Sequence, residues 1–261
     1  MKADQIKITM FPTVNLQEQH NIKALIKVLT EERKLLPEKW GYDERIKINY
    51  DEEEMIKNIL FRNEKFNNIF LYRNKKAIKY NCFFIAKKSY RSFFKLDFNK
   101  SLSKKYWEDF FKLSDEIASI IKPRFGTTVI WSNEVEIDED NKGIFQHMLK
   151  SRSEAPVSFL PDGPLGVSLR TYFNEEIINL FGREFLLNTP AYVKELKWGG
   201  IRIDLVKEPW NIDMKVMFDS WRKVMKYLNE ANVFSEYIYN GEGYLGDIIT
   251  TEKWKKFISQ L

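Results

Sequence analysis

The chain has 261 residues, 44% of them hydrophobic and 30% charged, with a formal net charge of +5. A chain of this length buries about 70–75% of the surface that its unfolded form exposes, so it needs no metal or disulfide to fold. The composition is too apolar for disorder, the single cysteine excludes an intramolecular disulfide, and no segment approaches the roughly 18 apolar residues of a membrane span. Because the first residues also lack the apolar run of a signal peptide, we expect a cytoplasmic protein.

The first elements alternate between strand and helix. An opening strand is predicted over 7–14, and Asn15 with Glu18 three residues later is typical of a capping box. The helix that follows has apolar residues at helical spacing and ends before Pro37. Trp40 and Tyr42 then lie in a loop, and Asp51 with Glu54 predicts the start of a second, shorter helix.

A strand-rich stretch comes next, with strands predicted over 68–73, 78–86 and 92–98. In the last of these, phenylalanine and leucine alternate with Lys95 and Asp97, the pattern of a half-exposed antiparallel sheet. A long amphipathic helix is predicted over 104–121, with Ser103 as its cap, and a further strand over 127–131.

The pattern weakens between 132 and 156 and then restarts. The unit over Gly166–Leu205 predicts strand, short helix and strand, with a turn, a bulge or a close backbone contact at Gly199 and Gly200. A strand over 157–160 is predicted before this unit. The predicted elements after Leu205 are a helix over 212–231, strands over 233–239 and 245–249, and a terminal helix.

This order of elements predicts an α+β fold, with a mainly antiparallel sheet and long amphipathic helices packed on one face. We expect a single domain over 1–261. Within it, 1–132 and 156–261 would form two similar sub-halves joined by an acidic excursion, 133–155. No residue-level repeat supports a duplication.

Aromatic residues are abundant, with 20 Phe, 12 Tyr and 7 Trp. A thick aromatic core is the ordinary interpretation, whereas a nucleic-acid platform would need rings interleaved with Lys or Arg on one exposed strand face. The basic residues are densest at Lys75, Lys76, Lys79, Lys87, Lys88, Arg91 and Lys95. We interpret these as a solvated sheet face, so nucleic acid is not the expected partner.

Most catalytic motifs are missing. His20 and His147 are far apart and have no paired cysteines, which argues against a zinc site or a catalytic triad. Ser168 lacks the glycines of a nucleophile elbow, and phosphate-binding glycine loops are absent. We therefore predict no cofactor and no metal, and lean against an enzyme.

One enzymatic pattern survives. Asp162 after Pro161, followed by Glu195 and Lys197, matches the loose pattern of metal-dependent nucleases, in which carboxylates hold a divalent ion and lysine polarises water. Because Asp162 lies in a Pro-Asp-Gly-Pro sequence, a turn is the favoured interpretation. A nuclease or nucleic-acid processing enzyme stays the alternative function.

Two groups of residues predict a partner-binding surface. Trp40 and Tyr42 are loop aromatics, which serve either as core anchors or as interface anchors. Charge of one sign can steer a basic partner such as a nuclease toxin, or be merely solvated. The acidic residues concerned are Glu134, Glu136, Asp138, Glu139 and Asp140.

The Gly-Val-Ser-Leu-Arg-Thr-Tyr strand, the helix ending at Gly182 and the Trp-Gly-Gly-Ile strand resemble bacterial immunity proteins of polymorphic-toxin and type VI secretion systems. The resemblance covers mainly the C-terminal half. It implies a non-enzymatic cytoplasmic protein that binds and neutralises a cognate toxin, while the sequence leaves the oligomeric state open. A structural component of a phage or secretion system is a second alternative.

Overall fold

The computed structural model describes residues 3–32, 35–62, 67–75, 78–90, 92–98, 102–132, 163–211, 213–238 and 247–261. The chain divides into two compact units, Ala3–Ile130 and Trp131–Leu261. Both contain helices and strands, and every pair of strands with a defined register is antiparallel. The predicted α+β class is therefore confirmed. The predicted sub-halves stay a prediction, since the excursion 133–155 lies outside the described residues.

The strands of the N-terminal unit are β1 (Gln5–Met10), β2 (Lys39–Gly41), β3 (Ile48–Asn49), β4 (Asn68–Arg73), β5 (Tyr80–Ile85), β6 (Phe94–Asp97) and β7 (Phe125–Trp131). They hydrogen-bond in the order β3-β2-β4-β5-β6-β1-β7. The three strands predicted between 68 and 98 are confirmed, with β4 at its predicted bounds and β5 and β6 a few residues shorter.

The helices of this unit are α1 (Gln19–Lys27), α2 (Glu52–Phe61) and α3 (Trp107–Ile121). A π-helical turn, Val28–Glu32, continues α1, and a 3-10 turn, Lys104–Tyr106, precedes α3. Helix α1 contacts both α2 and α3. Each helix buries an apolar stripe, as its periodicity predicts.

The two faces of the N-terminal sheet differ in chemistry because side chains alternate along each strand. On one face Ile8, Leu71, Cys82 and Leu96 are at most 1% exposed. Helix α3 lies on this face, where the Phe98 ring contacts both Tyr80 of β5 and Phe110 of α3. Burial raises the pKa of the Cys82 thiol, which suits a small apolar core residue better than a nucleophile.

The C-terminal unit has a sheet ordered β8-β10-β9 and a separate β11-β12 pair. Its strands are β8 (Arg170–Phe173), β9 (Tyr192–Glu195), β10 (Ile201–Asp204), β11 (Glu236–Ile238) and β12 (Asp247–Ile249). Its helices are α4 (Glu175–Phe181), α5 (Arg183–Leu187), α6 (Met214–Asn229) and α7 (Glu252–Ile258). No helix in the described part of the chain is long and apolar enough to cross a membrane.

Helix α6 packs in the C-terminal unit through an apolar stripe. Met217, Trp221 and Leu228 are at most 4% exposed, as the helical spacing predicts. The Trp221 indole N–H donates to the Val167 carbonyl oxygen at 3.1 Å. This bond fixes the stretch Gly166–Leu205, which contains β8, α4, α5, β9 and β10 where one strand, one helix and one strand were predicted, to the long helix.

Several local predictions need correction. Trp40, predicted in a loop, lies in β2 and is 1% exposed. Ser103, predicted to cap the long helix, makes no side-chain cap hydrogen bond. Asn15 does not cap α1, whose first turn has Glu18 as N-cap without a side-chain hydrogen bond; the Asn15 amide oxygen instead accepts from the Gln17 and Lys88 backbone N–H groups, both at 3.2 Å. Strand β9 was not predicted, because Tyr192–Glu195 shows no clear alternation of apolar and polar residues. Its hairpin to β10 turns at Gly199, which has a positive φ of 93°.

Candidate functional site

The two aromatic residues predicted as partner contacts have different environments. Trp40, in β2, is 1% exposed, whereas Tyr42 lies just beyond the strand and is half-buried. Their rings meet edge to face with centroids 5.3 Å apart, so Trp40 fixes the position of Tyr42. The guanidinium carbon of Arg62 lies 3.5 Å from the centre of the Tyr42 ring, within cation–π range.

An open depression of about 660 Å³ adjoins this stacked pair. We call it the α2 depression, and its lining residues are Tyr42, Glu54, Lys57, Asn58, Phe61 and Arg62. Phe61 is 79% exposed, the highest value among the large hydrophobic residues that the structure describes. An exposed phenylalanine beside a stacked Tyr–Arg pair combines residue types that are enriched at the centres of protein interfaces.

The sequence of α2 explains why these side chains face outward. The Asp51 carboxylate accepts the Glu54 backbone N–H at 2.8 Å and caps the helix, as predicted. Met55, Ile56 and Ile59 are buried and set the rotation of the helix, which leaves Phe61 on the opposite side.

The end of α2 is tied to the start of α1. The Gln17 side-chain amide donates to the carbonyl oxygens of Ile59 at 3.2 Å and Arg62 at 2.9 Å. These bonds use carbonyl groups that a helix end leaves without intrahelical partners. The backbone that carries Phe61 and Arg62 is therefore held in place, and the depression is preformed.

A second polar cluster lies inside the C-terminal unit. The Arg170 guanidinium binds both Asp204 carboxylate oxygens, at 2.5 and 3.1 Å, and Arg202 reaches the same carboxylate at 3.0 Å. Arg170 and Asp204 are opposite each other on β8 and β10, and both side chains are 3% exposed. This bidentate, charge-assisted pairing ties the two strands together and is too buried to contact a partner.

The residues of the alternative nuclease pattern are only partly described. Glu195 is 56% exposed in its side chain and accepts from Arg183 at 2.6 Å, while Lys197 is exposed in the turn after β9. Asp162 lies outside the described residues, so its distance to the other two is undefined. Among the described residues there is no group of three or more His, Cys, Asp or Glu side chains that could hold a metal ion.

The acidic residues predicted to steer a partner, Glu134, Glu136, Asp138, Glu139 and Asp140, also lie outside the described residues. The partner-binding prediction therefore has structural detail only at Trp40 and Tyr42. Sequence reasoning did not identify Phe61 and Arg62. The available signal was a bulky apolar residue off the buried stripe of α2, next to an arginine.

Comparison with known proteins gives a fold and no family. No protein-family model matches the chain, and no curated protein matches it. Among solved structures, the chain is similar to Pseudomonas aeruginosa T6SS protein PA0821 with a TM-score of 0.60 and 14% sequence identity. The likeness covers 97% of this chain and 81% of the other. At this identity it shows a shared fold.

Proposed function

We propose that this chain is a cytoplasmic immunity protein that binds and neutralises a cognate toxin of a type VI secretion system. The observation that carries the proposal is the likeness to a T6SS protein over 97% of the chain. The resemblance of the Gly166–Leu205 unit to immunity proteins points the same way, and so does the preformed α2 depression, which has the chemistry of a protein-binding surface.

We infer that the α2 depression is the toxin-binding surface. Phe61 is the apolar anchor, and the Tyr42–Arg62 stack offers a flat, amphipathic neighbour that loses little side-chain entropy on binding because it is already ordered. Glu54 and Lys57 supply charge of both signs at the rim. Such a rim contributes more to specificity than to affinity.

Co-expression with the candidate toxin tests this proposal. A toxin with a variable C-terminal domain, if one is encoded beside this gene, would be expressed in a sensitive bacterial strain with and without this chain. We expect the chain to restore growth and to form a complex that size-exclusion chromatography and calorimetry detect. A toxin that is equally lethal with the chain present, and does not bind it, would rule out the immunity function.

A substitution in the α2 depression locates the surface. Phe61→Gln is expected to weaken toxin binding by at least about tenfold, as for an interface hot spot, with little change in the thermal midpoint because the side chain is exposed and the substitution adds no charge to the helix end. Val216→Gln on α6, where the valine is 53% exposed, is the matched control and should bind normally. If the two variants bind equally well, the toxin uses another surface.

The alternatives have their own tests. Incubating the chain and its Asp162→Ala variant with DNA or RNA and magnesium examines the nuclease pattern, and equal cleavage or none would remove Asp162, Glu195 and Lys197 as a site. A structural component of a phage or secretion system would assemble into large particles, which light scattering detects. We expect no cleavage by either protein and no large particles.

A further inference from the structure

The face of the N-terminal sheet opposite α3 carries aromatic and basic side chains in one register. Across three neighbouring strands, Phe70 lies opposite Phe83, and Phe83 lies opposite Lys95. One step along the strands, Tyr72 lies between Lys39 and Asn81. We call this surface the aromatic–basic face, and its residues are Lys39, Phe70, Tyr72, Phe83 and Lys95.

The rings of this face are partly exposed and in contact. The centroids of Phe70 and Phe83 are 4.6 Å apart, and Phe83 also contacts Phe93 at 5.7 Å. Phe70, Tyr72 and Phe83 are half-buried, whereas the residues that alternate with them on the same strands, Ile69, Leu71 and Phe84, are fully buried. Phe70 and Phe83 thus contact each other while part of each ring remains exposed to solvent.

The charge of this face is positive. Lys39 is exposed and Lys95 half-buried, and the acidic residue in the same register, Asp97, lies 3.9 Å from the Lys7 ammonium. An antiparallel sheet with helices on one face and rings interleaved with lysines on the other is the arrangement that proteins use to stack and neutralise single-stranded nucleic acid.

We propose that the aromatic–basic face binds single-stranded nucleic acid, with bases stacked on Phe70, Tyr72 and Phe83 and phosphates neutralised by Lys39 and Lys95. Because adjacent strands lie about 4.8 Å apart, a base on Phe83 has its phosphate within reach of Lys95. Recognition by ring faces and ammonium groups carries little base specificity, so we expect a sequence-tolerant site. This activity is separate from toxin binding and departs from the expectation that nucleic acid is not a partner.

Fluorescence anisotropy with a fluorescein-labelled oligothymidylate of about a dozen nucleotides, a length within the usual site sizes, tests the proposal on the full chain. We expect saturable binding that weakens with added salt, and a clear preference over a duplex of the same length. No binding at low salt, or tighter binding to the duplex, would overturn it.

Variants separate stacking from general charge attraction. Phe83→Leu keeps an apolar side chain but removes the π-face, and should weaken binding about fivefold to hundredfold. Lys95→Gln should weaken it less and reduce the dependence of log affinity on log salt by about one. Lys226→Gln on α6 is the control and should bind like the parent. Circular dichroism and thermal unfolding verify that each variant folds.

An acidic protein surface is the competing occupant, and polyglutamate represents it in the same assay. If polyglutamate displaces the oligonucleotide as well as unlabelled oligothymidylate does, or if Phe83→Leu binds like the parent, the face attracts charge alone and the proposal is wrong. Loss of oligonucleotide binding in Phe83→Leu, with toxin neutralisation unchanged, would show the two activities to be independent.

Discussion

At the scale of single residues, burial distinguishes polar groups that stabilise the fold from polar groups that are accessible at the surface. Asp204 is 3% exposed in its side chain and meets two guanidinium groups, whereas Glu195 meets Arg183 at the surface with 56% of its side chain exposed. Removing one partner of a buried ion pair leaves an uncompensated charge, but an exposed pair is screened by water. We therefore expect substitution of Asp204 to lower the stability of the protein far more than substitution of Glu195.

Asp204→Asn keeps the shape of the side chain and removes its charge. We expect it to lower the free energy of unfolding by about 3–5 kcal/mol, because Arg170 and Arg202 would stay near a neutral amide. Urea denaturation followed by tryptophan fluorescence measures the loss. Glu195→Gln, as the control, should cost less than about 1 kcal/mol. Equal effects would mean that the buried cluster is solvated.

A glycine gives a second prediction at this scale. Gly163 has a φ of 83°, and a Cβ there would lie 2.8 Å from the Trp254 indole, which is 0% exposed. Gly163→Ala is therefore expected to combine backbone strain of about 1–2 kcal/mol with a steric clash. Gly199→Ala is the control, since Gly199 has a φ of 93° and no atom within 4 Å of the added Cβ. The difference between their thermal midpoints isolates the clash, and no difference would contradict the close packing on Trp254.

At the scale of elements, the same sequence pattern gave one right and one wrong helix start. Asn15 and Asp51 are each followed three residues later by Glu, yet only Asp51 caps a helix. The Asn15 oxygen accepts the Lys88 backbone N–H from a segment 73 residues away. Local patterns cannot reveal such tertiary competition, which is why the periodic helices and alternating strands were predictable and this turn was not.

Replacement of the α2 cap tests the element directly. Asp51→Ala should lower the free energy of unfolding by about 0.5–2 kcal/mol, since the Glu54 N–H loses its acceptor. Chemical denaturation of the variant measures this, and Glu53→Ala, which removes an exposed carboxylate from the first turn of the same helix but no cap, is the comparison and should cost less. Because α2 carries Phe61 and Arg62, Asp51→Ala should also weaken toxin binding modestly. An unchanged stability would mean that water replaces the carboxylate at no cost.

The candidate site was predictable only in part for a related reason. Tyr42 stands out in the sequence as a loop aromatic, which predicts either a core anchor or an interface anchor. Phe61 belongs to the depression only because Met55, Ile56 and Ile59 set the rotation of α2, and Arg62 only because Gln17 holds the helix end. These contacts join segments more than forty residues apart, which single-sequence patterns do not encode.

At the scale of the whole molecule, the order of strands predicts a gradient of local stability. In the N-terminal unit β5 and β6 have neighbours on both sides, whereas β3 pairs only with β2 within the described sheet and both of its residues are exposed. In the C-terminal unit β9 pairs only with β10 among the described strands. Backbone hydrogen bonds that are exposed and singly paired open at a lower free energy than central ones.

Amide hydrogen exchange followed by mass spectrometry checks this gradient. We expect amides of β5 and β6 to exchange slowest, approaching the global unfolding limit, and those of β3 and β9 to exchange orders of magnitude faster. The comparison of β9 with β10 is the internal control, since they share one hairpin. Uniform protection across the sheet would show that its end strands are covered in solution.

Side chains alternate between the two faces of the sheet along β4, β5, β6 and β1. This alternation limits where residues can be inserted or deleted. One residue inserted within β5 would shift its register so that Cys82 and Phe84 turned to the aromatic–basic face and Phe83 turned toward α3. The same insertion in the turn before β5 would move no side chain between faces. Insertions and deletions among natural variants of this gene should therefore fall in the connections and spare the strands.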